Sequence, residues 1–528
     1  MIVINHGYLT MVLSTQSQYN MLMPSFKKWS LRIFGLLVLV GLGTVGWVEY
    51  QIRVGRGTYT EVVDQHQFEL EAGDFAITNV SLLDPTGETM LDSQTVLISE
   101  GLIKSVEKEG DVPPGHKAIN GSGQYLIPGL TDSHVHFRSN PNDLLLYLAN
   151  GVTSVREMTG NATHLGWRSR LGDDLIGPKM YISSKKITSK AGLAGLFQRW
   201  AYNKLNYADA DKGRSVIRKA KASGFDALKM SNFISREMYL STMEIAKEEG
   251  IPVIGHIPDD IPLEEFLTLG QYEVAHIEEL TKSLIREFGG MGSENAEEYL
   301  DFVRQRSPAI AKGLHDNGIA VTTTVWLMES LPRQKFGLKA ALKTVQLKYA
   351  NPAWVEGTPL MRGWLPGHST YQLSEVTKND PDAMERSRVF WKTYVEAIHI
   401  MTPYLVEQGV LLMAGTDTNA ALIVPGFSLH DEMASLVNAG MTPAETLFSA
   451  TAAPAKWAGE KTGSIRVGYA ADLVLLRKNP LADISNTKAI ESVFLGGQLI
   501  SKEQLEAMLA AVATANLVSR NIDIREFE

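Results

Sequence analysis

Six ionisable residues each sit at the end of a short apolar run. They are His134 and His136 in LIPGLTDSHVHF, Lys229 in FDALKMS, His256 in IPVIGHI, His276 in YEVAHIE and Asp417 in VLLMAGTDT. The chemistry such a set could do is to hold a divalent cation. Side chains two apart on a strand share a face, so His134 and His136 can reach one ion together. Taken singly, plainer roles stay open. A lone His-x-His pair is common, and His256 or His276 alone is more often a hydrogen-bonded core residue. Asp417 in Ala-Gly-Thr-Asp-Thr fits a turn or a helix cap, and Lys229 fits a solvated strand terminus. The joint pattern favours a metal: the residues come in order, each ending a strand, where packing alone calls for Val, Ile and Leu. His164 and His430 fall in connecting loops from which they could touch substrate. His6, His66 and His116 lie outside this region, and His315, His368 and His399 fall in helical or inserted segments.

The elements that must position these residues follow a repeating grammar. GVTSVRE, KMYIS and IAVTTTVW join the five runs above to give eight strand candidates between residues 128 and 458. Amphipathic helices separate them. EMYLSTMEIAKEEG, for example, places Leu240, Met243 and Ala246 on one side and closes on Gly250. Eight strand–helix units predict an α/β chain built on a (β/α)8 TIM barrel, with chemistry at the carboxyl ends of its strands. The connection from about 326 to 410 is too long for a simple loop and reads as a folded insertion at the mouth of the site.

The flanks read differently. FAITNVSLL, DPTGE, TVLIS and LIKSVEK alternate short strands with turn residues, and GSIRVGYAADLVLLRKNP with AIESVFLGGQLIS repeats the pattern near the other end. Residues 75–127 and 459–505 are therefore expected to form one small β-sandwich domain from both ends of the chain. Residues 51–74 read as a polar linker and 506–528 as a C-terminal helical tail. Within 1–50, sixteen residues from Ile33 to Val48 carry no charge, with Lys27, Lys28 and Arg32 before them and Glu49 after. As a helix they span about 24 Å, slightly short of the roughly 30 Å hydrocarbon core, with Trp29 and Trp47 at the two ends. The preceding cations favour a cytoplasmic amino terminus, so the expectation is a single-pass anchor behind a short cytoplasmic tail. The catalytic domain would then be extracytoplasmic, periplasmic in a bacterium. Secretion after signal cleavage near Gly41-Leu42-Gly43 is the rival expectation.

Composition bounds the rest. The 528 residues are 44% apolar and 21% charged, which excludes a disordered or fibrous chain. Fifty Lys and Arg against 59 Asp and Glu give a net charge of −9, so no nucleic-acid partner is expected. The absence of Cys removes disulfides, thiolate metal sites and cysteine nucleophiles together.

Over about 75–505 the sequence resembles the metal-dependent amidohydrolase superfamily. LIPGLTDSHVHF is similar to its opening signature. GVTSVRE, VIGHIP, EVAHIEEL, AGTDT, GFSLHDEMASLVNAGMTPAETLFSATAAPAKWAG and GSIRVGYAADLVLLRKNPLADI are similar to its later landmarks. The likeness is greatest to the imidazolonepropionase-like and prolidase-like branches. It implies that His134, His136, His256, His276 and Asp417 are metal ligands. It further implies that Lys229, in DALKMS, corresponds to the lysine that two-metal members carboxylate and that imidazolonepropionases lack. On that basis one ion is held by His134, His136 and Asp417 and a second by His256 and His276, with the Lys229 carbamate shared. Zn²⁺ is the default for both ions.

The function implied is hydrolysis of an amide or peptide bond, in a dipeptide or N-acyl amino acid. A metal-bridging hydroxide would attack and Asp417 would shuttle the proton. Hydrolysis of a cyclic amide, lactone or ester at a one- or two-metal site is the alternative. The continuation SNFISREMYLS after Lys229 departs from the Gly-rich loop common in prolidase-like relatives, so peptide specificity does not follow directly. Partners are a small-molecule substrate and a membrane through the N-terminal helix, with a homo-oligomer left open.

Overall fold

Eight short parallel strands carry the six candidate residues. They are strand 1 (Leu130–Val135), strand 2 (Val152–Glu157), strand 3 (Lys179–Ile182), strand 4 (Leu228–Met230), strand 5 (Val253–Gly255), strand 6 (Glu273–Val274), strand 7 (Ala320–Thr322) and strand 8 (Leu412–Met413). The computed structural model describes residues 9–190, 192–201, 204–207 and 209–528. His6 and residues 1–8 of the expected tail lie outside them.

Strands 1–3 form one parallel sheet, and strands 4–8 form another with two short strands, Ile187–Thr188 and Leu205–Asn206, at its edge. Backbone hydrogen bonds join the two sheets on both sides. Ser184 N–H donates to Ala227 O (2.7 Å) and Asp226 N–H to Ile182 O (2.9 Å) between strands 3 and 4. Ser133 N–H donates to Ala414 O (2.9 Å) and Asp417 N–H to His134 O (2.8 Å) between strands 1 and 8. The strands are buried on both faces, as near-continuous runs such as Leu130–Val135 require. The mixed α/β class is as expected.

Helices cover this sheet system. Arg236–Glu249 begins where the Ser235 hydroxyl caps Met238 N–H and ends at Gly250, φ +63°. Its buried side runs through Tyr239, Thr242 and Ala246, leaving Leu240 and Met243 half-buried at the margin. The stretch read as an insertion is largely regular. Val325–Leu342 and Pro381–Glu407 are long helices, and the second packs along Ala296–Asp316. Only the chain between them is irregular. It is tied down by Trp354, Trp364 and Leu365, which pack with Leu342, Leu422 and Val424.

The β segments from both ends do combine, but as one connected eight-stranded sheet. Tyr125–Pro128 runs antiparallel to Leu473–Leu476, and Phe75–Leu83 pairs with Met90–Ser99, Lys117–Asn120 and Tyr125–Pro128. One apolar face gathers Phe75, Ile77, Leu82, Val96, Leu473 and Phe494. Because Pro128 leads directly into Leu130, this sheet lies beyond the amino ends of the parallel strands, away from the candidate residues.

Residues 51–74, expected to be a linker, are held against the protein. Ile52, Val63 and Phe68 are buried, the Asn142 side chain accepts from Val63 N–H (3.0 Å), and Asn140 donates to Thr60 O (3.0 Å). Their first five residues end a 47-residue helix, Leu9–Gly55. Its Trp29–Gly55 portion has a mean hydropathy of 2.0 over its most apolar window and is long and apolar enough to cross a membrane. Leu36, Leu37, Leu39 and Leu42 all stand exposed there. The expected C-terminal tail begins as helix Lys502–Ser519, which packs on Asn142–Ala149.

Candidate metal centre

The four imidazoles converge at one end of the parallel strands. His134 lies inside strand 1 and His136 just past it, while His256 follows strand 5 and His276 caps the helix after strand 6. Ring centroids are 4.4 Å apart for His134 and His276, 5.1 Å for His256 and His276, and 5.0 Å for His134 and His136. Asp417 comes four residues beyond strand 8. Its Oδ1 lies 3.0 Å from His136 Nε2 and 3.4 Å from His134 Nε2. Among the described residues, ligand atoms of His134, His276 and Asp417 lie within 4.8 Å of one another. Lys229 sits in the middle of three-residue strand 4, not at its end, and is fully buried.

Local backbone choices make this approach possible. Asp417 (φ +56°) and Thr324 (φ +54°) adopt left-handed conformations that non-glycine residues seldom take and that concentrate at functional sites. Gly255 precedes His256 at φ +126°. A Cβ there would sit 2.6 Å from Met230 O and 3.2 Å from Lys229 Cδ, so glycine lets the lysine stem pass. Gly415 does the same for strands 1 and 8, since its Cβ would come within 2.9 Å of His134 N.

Each ring is tethered through Nδ1. His134 Nδ1–H donates to Ala275 O (3.0 Å) and His256 Nδ1–H to Glu279 Oε1 (3.2 Å). His136 Nδ1 pairs with Thr159 Oγ1 (2.9 Å) and His276 Nδ1 with Thr324 Oγ1 (3.1 Å). For His134, His256 and His276 a fixed Nδ1 leaves Nε2 as the lone pair, the arrangement in which imidazole ligates a cation. His136 Nε2 instead meets Asp417, and burial of this ring is outweighed by its acidic partners, which raise its pKa. Burial, followed by the charge of Lys229 and the other rings, holds His134 well below its usual pKa. Burial also keeps His256 and His276 neutral, as ligation requires. Burial opposes ionisation of Asp417, but the hydrogen bond and charge of His136 dominate and hold its carboxyl below the ordinary range.

His256 Nε2 and Lys229 Nζ are among the buried polar atoms without a hydrogen-bond partner. Burial, with Lys186 nearby, pushes the Lys229 amine down to about 7. A buried ammonium with no acceptor is costly. A neutral amine fits this place. The residues present fit a divalent metal centre.

The centre opens into a cavity of about 290 Å³ whose lining includes His136, Arg138, Trp354, Tyr371, Asp417 and, from the long helix, Gly55. Arg138 stacks on Trp354, 4.3 Å from the ring centroid. Its Nε is buried without a partner, and burial beside Arg56 lowers its pKa to about 10. Reading the sequence missed Arg138, although the alternation His134, His136, Arg138 carries it to the same mouth. Glu279 was also missed, and nothing in its helical context marks it. His164 and His430 do not line the cavity. His164 Nε2–H donates to Arg138 O (3.0 Å) from a buried position among Phe137 and Trp167. His430 faces away, to Thr487 Oγ1 (2.9 Å).

Residues 397–500 match the model of the Amidohydrolase family. The chain is 23% identical over 492 aligned residues to ochratoxinase of Aspergillus niger, covering 80% of this chain and 86% of that protein. Its fold is similar to a bottromycin amidohydrolase (TM-score 0.62, 20% identity, 84% of this chain and 90% of that one). It is also similar to a prolidase complexed with N-methylphosphonate-L-proline (TM-score 0.59, 18% identity, 81% and 99%).

Proposed function

We propose that this chain is a hydrolase of the amidohydrolase superfamily that cleaves the amide of a dipeptide or N-acyl amino acid. The family match over residues 397–500 and the likeness to ochratoxinase support this reading. His134, His136 and Asp417 would hold one divalent ion and His256 and His276 a second, with carboxylated Lys229 between them. Zn²⁺ suits the imidazole-rich set. When bound, such ions acidify a water and polarise the substrate carbonyl. The observation that carries this reading is the common tether: the buried rings of His134, His256 and His276 and the half-buried ring of His136, each held through Nδ1, gather at a space that Asp417 also borders.

The remaining steps belong to the protein. Asp417 stays ionised and can take the proton of the attacking water, then deliver it to the leaving nitrogen. Arg138, which lines the cavity, supplies the cation that a substrate carboxylate would meet. Trp354 and Tyr371 offer apolar surface for the group on the other side of the scissile bond. We read the eight parallel strands as one closed barrel on the strength of the hydrogen bonds across both seams. The terminal sheet is read as the sandwich-type domain of that architecture. The Trp29–Gly55 helix is read as a single-pass anchor that leaves the catalytic domain outside the cytoplasm.

The test is a panel of dipeptides, N-acyl amino acids and lactones, assayed with and without chelator. Chelator-sensitive release of amino acids from the first two classes supports the reading. Turnover of lactones alone would replace it.

A further inference from the structure

Between strand 3 and strand 4 the chain leaves the sheet to form helix Gly192–Ala201, flanked by the short strands Ile187–Thr188 and Leu205–Asn206. Gly195 is buried and its carbonyl accepts from Asn206 Nδ2 (3.1 Å), which seats one side of the helix on the protein. The other side carries Leu193, Leu196, Phe197 and Trp200, spaced i, i+3, i+4 and i+7, and exposed by 85, 52, 49 and 39%. A soluble protein gains nothing from such a face in water.

Its surroundings name what covers it. Residues 183–207 contain no acidic residue, and Lys185, Lys190, Arg199 and Lys204 are their exposed or half-buried cations, in a chain of net charge −9, while Lys186 turns inward toward Lys229 and Asp417. Trp200 Nε1–H donates to Glu49 Oε2 (2.9 Å), and Arg56 Nη2 donates to Trp200 O (3.5 Å). Glu49 is the first charged residue after the uncharged run that starts at Ile33. That bond therefore places the small helix level with the point where the long helix turns polar. Trp47 and Trp200 then share one depth, the boundary at which indoles concentrate in membrane proteins.

We propose that helix Gly192–Ala201 lies on an anionic bilayer surface, with Leu193, Leu196, Phe197 and Trp200 inserted among the acyl chains and the cations among the headgroups. The proposal rests on the reading of Trp29–Gly55 as an anchor and adds a second contact that fixes the domain's tilt. Gly55, which lines the catalytic cavity, comes six residues after Glu49 on the same helix, so the mouth stands about 9 Å beyond that boundary, on the headgroup side. Amphiphilic amides held at the membrane surface are thereby close to it.

The chain has no cysteine, so each introduced thiol is unique. Full-length Leu193→Cys, Phe197→Cys, Leu39→Cys and Val467→Cys proteins, spin-labelled and reconstituted in phosphatidylcholine–phosphatidylserine nanodiscs, are compared by oxygen and nickel-chelate relaxation. Val467 is 64% exposed and lies in the segment beside the terminal sheet, so it reports water. The expected result is a high oxygen-to-nickel accessibility ratio at residues 193 and 197, near that at 39 and well above that at 467. If 193 and 197 match 467 while 39 remains in lipid, the docking proposal fails and the anchor stands. If 39 also reports water, the anchor reading fails and takes the proposal with it.

Discussion

His136 Nε2 lies 3.0 Å from Asp417 Oδ1, so the end of strand 1 is joined to the loop after strand 8 at the centre of the site. The backbone repeats the link, through Asp417 N–H and His134 O at 2.8 Å. Two candidate ligands are thus brought together by the fold itself, and the left-handed turn at Asp417 is held by its neighbours.

Arg138 tests how substrate is recognised. Losing a charged hydrogen-bond partner costs about 1.5–3 kcal/mol, so Arg138→Ala should raise KM for a carboxylate-bearing amide by roughly 10- to 100-fold. The same substitution should leave a substrate with an esterified carboxyl nearly unaffected. Steady-state kinetics on the paired substrates checks this, and equal losses on both would remove Arg138 from carboxylate binding.

Asp143, outside the candidate ligand set, gives a pH dependence of stability. Burial pushes its carboxyl up from 3.8 to about 7, against a hydrogen bond from Asn419. Between these values the folded protein keeps a proton that the unfolded chain has lost. Stability contributed at this site therefore falls as pH rises from 3.8 to about 7 and is constant above. Relative to wild type, Asp143→Asn should gain melting temperature across that window and level off near neutrality. Thermal melts of both proteins from acid to mildly alkaline pH measure it. A difference independent of pH would contradict the assignment.

The anchor predicts that full-length protein sediments with membranes and stays there through a high-salt wash. Recovery of soluble protein beginning near residue 44 would instead show a cleaved signal.

Much of this was legible in the sequence because strand-end residues are punctuated by apolar runs. His134, His256, His276 and Asp417 could be singled out because each interrupts a buried pattern, and the eight runs gave the strand order. Three things were not legible. Lys229 reads as a strand terminus because strand 4 is only three residues long, and burial on both faces looks the same in sequence as a strand end. The 326–410 region reads as a folded insertion from its length, but the extent of its two long helices was not legible, because Pro332 and Pro403 lie inside them. Arg138 and Glu279 act across loops, and their partners Trp354 and His256 are near only in three dimensions.

The central claim is a two-ion centre organised around Lys229. The most direct measurement is elemental analysis of purified wild type and Lys229→Ala, paired with rates on a working substrate. A carbamate on Lys229 would turn a buried, partnerless nitrogen into an anion able to bridge two cations, so its removal should be felt mainly in metal content. We expect about two ions per chain in wild type by ligand count, falling to about one or fewer in the variant together with activity. His256 and His276 remain to hold what is left. A wild type with a single ion, and a Lys229→Ala protein unchanged in both stoichiometry and rate, would contradict the account.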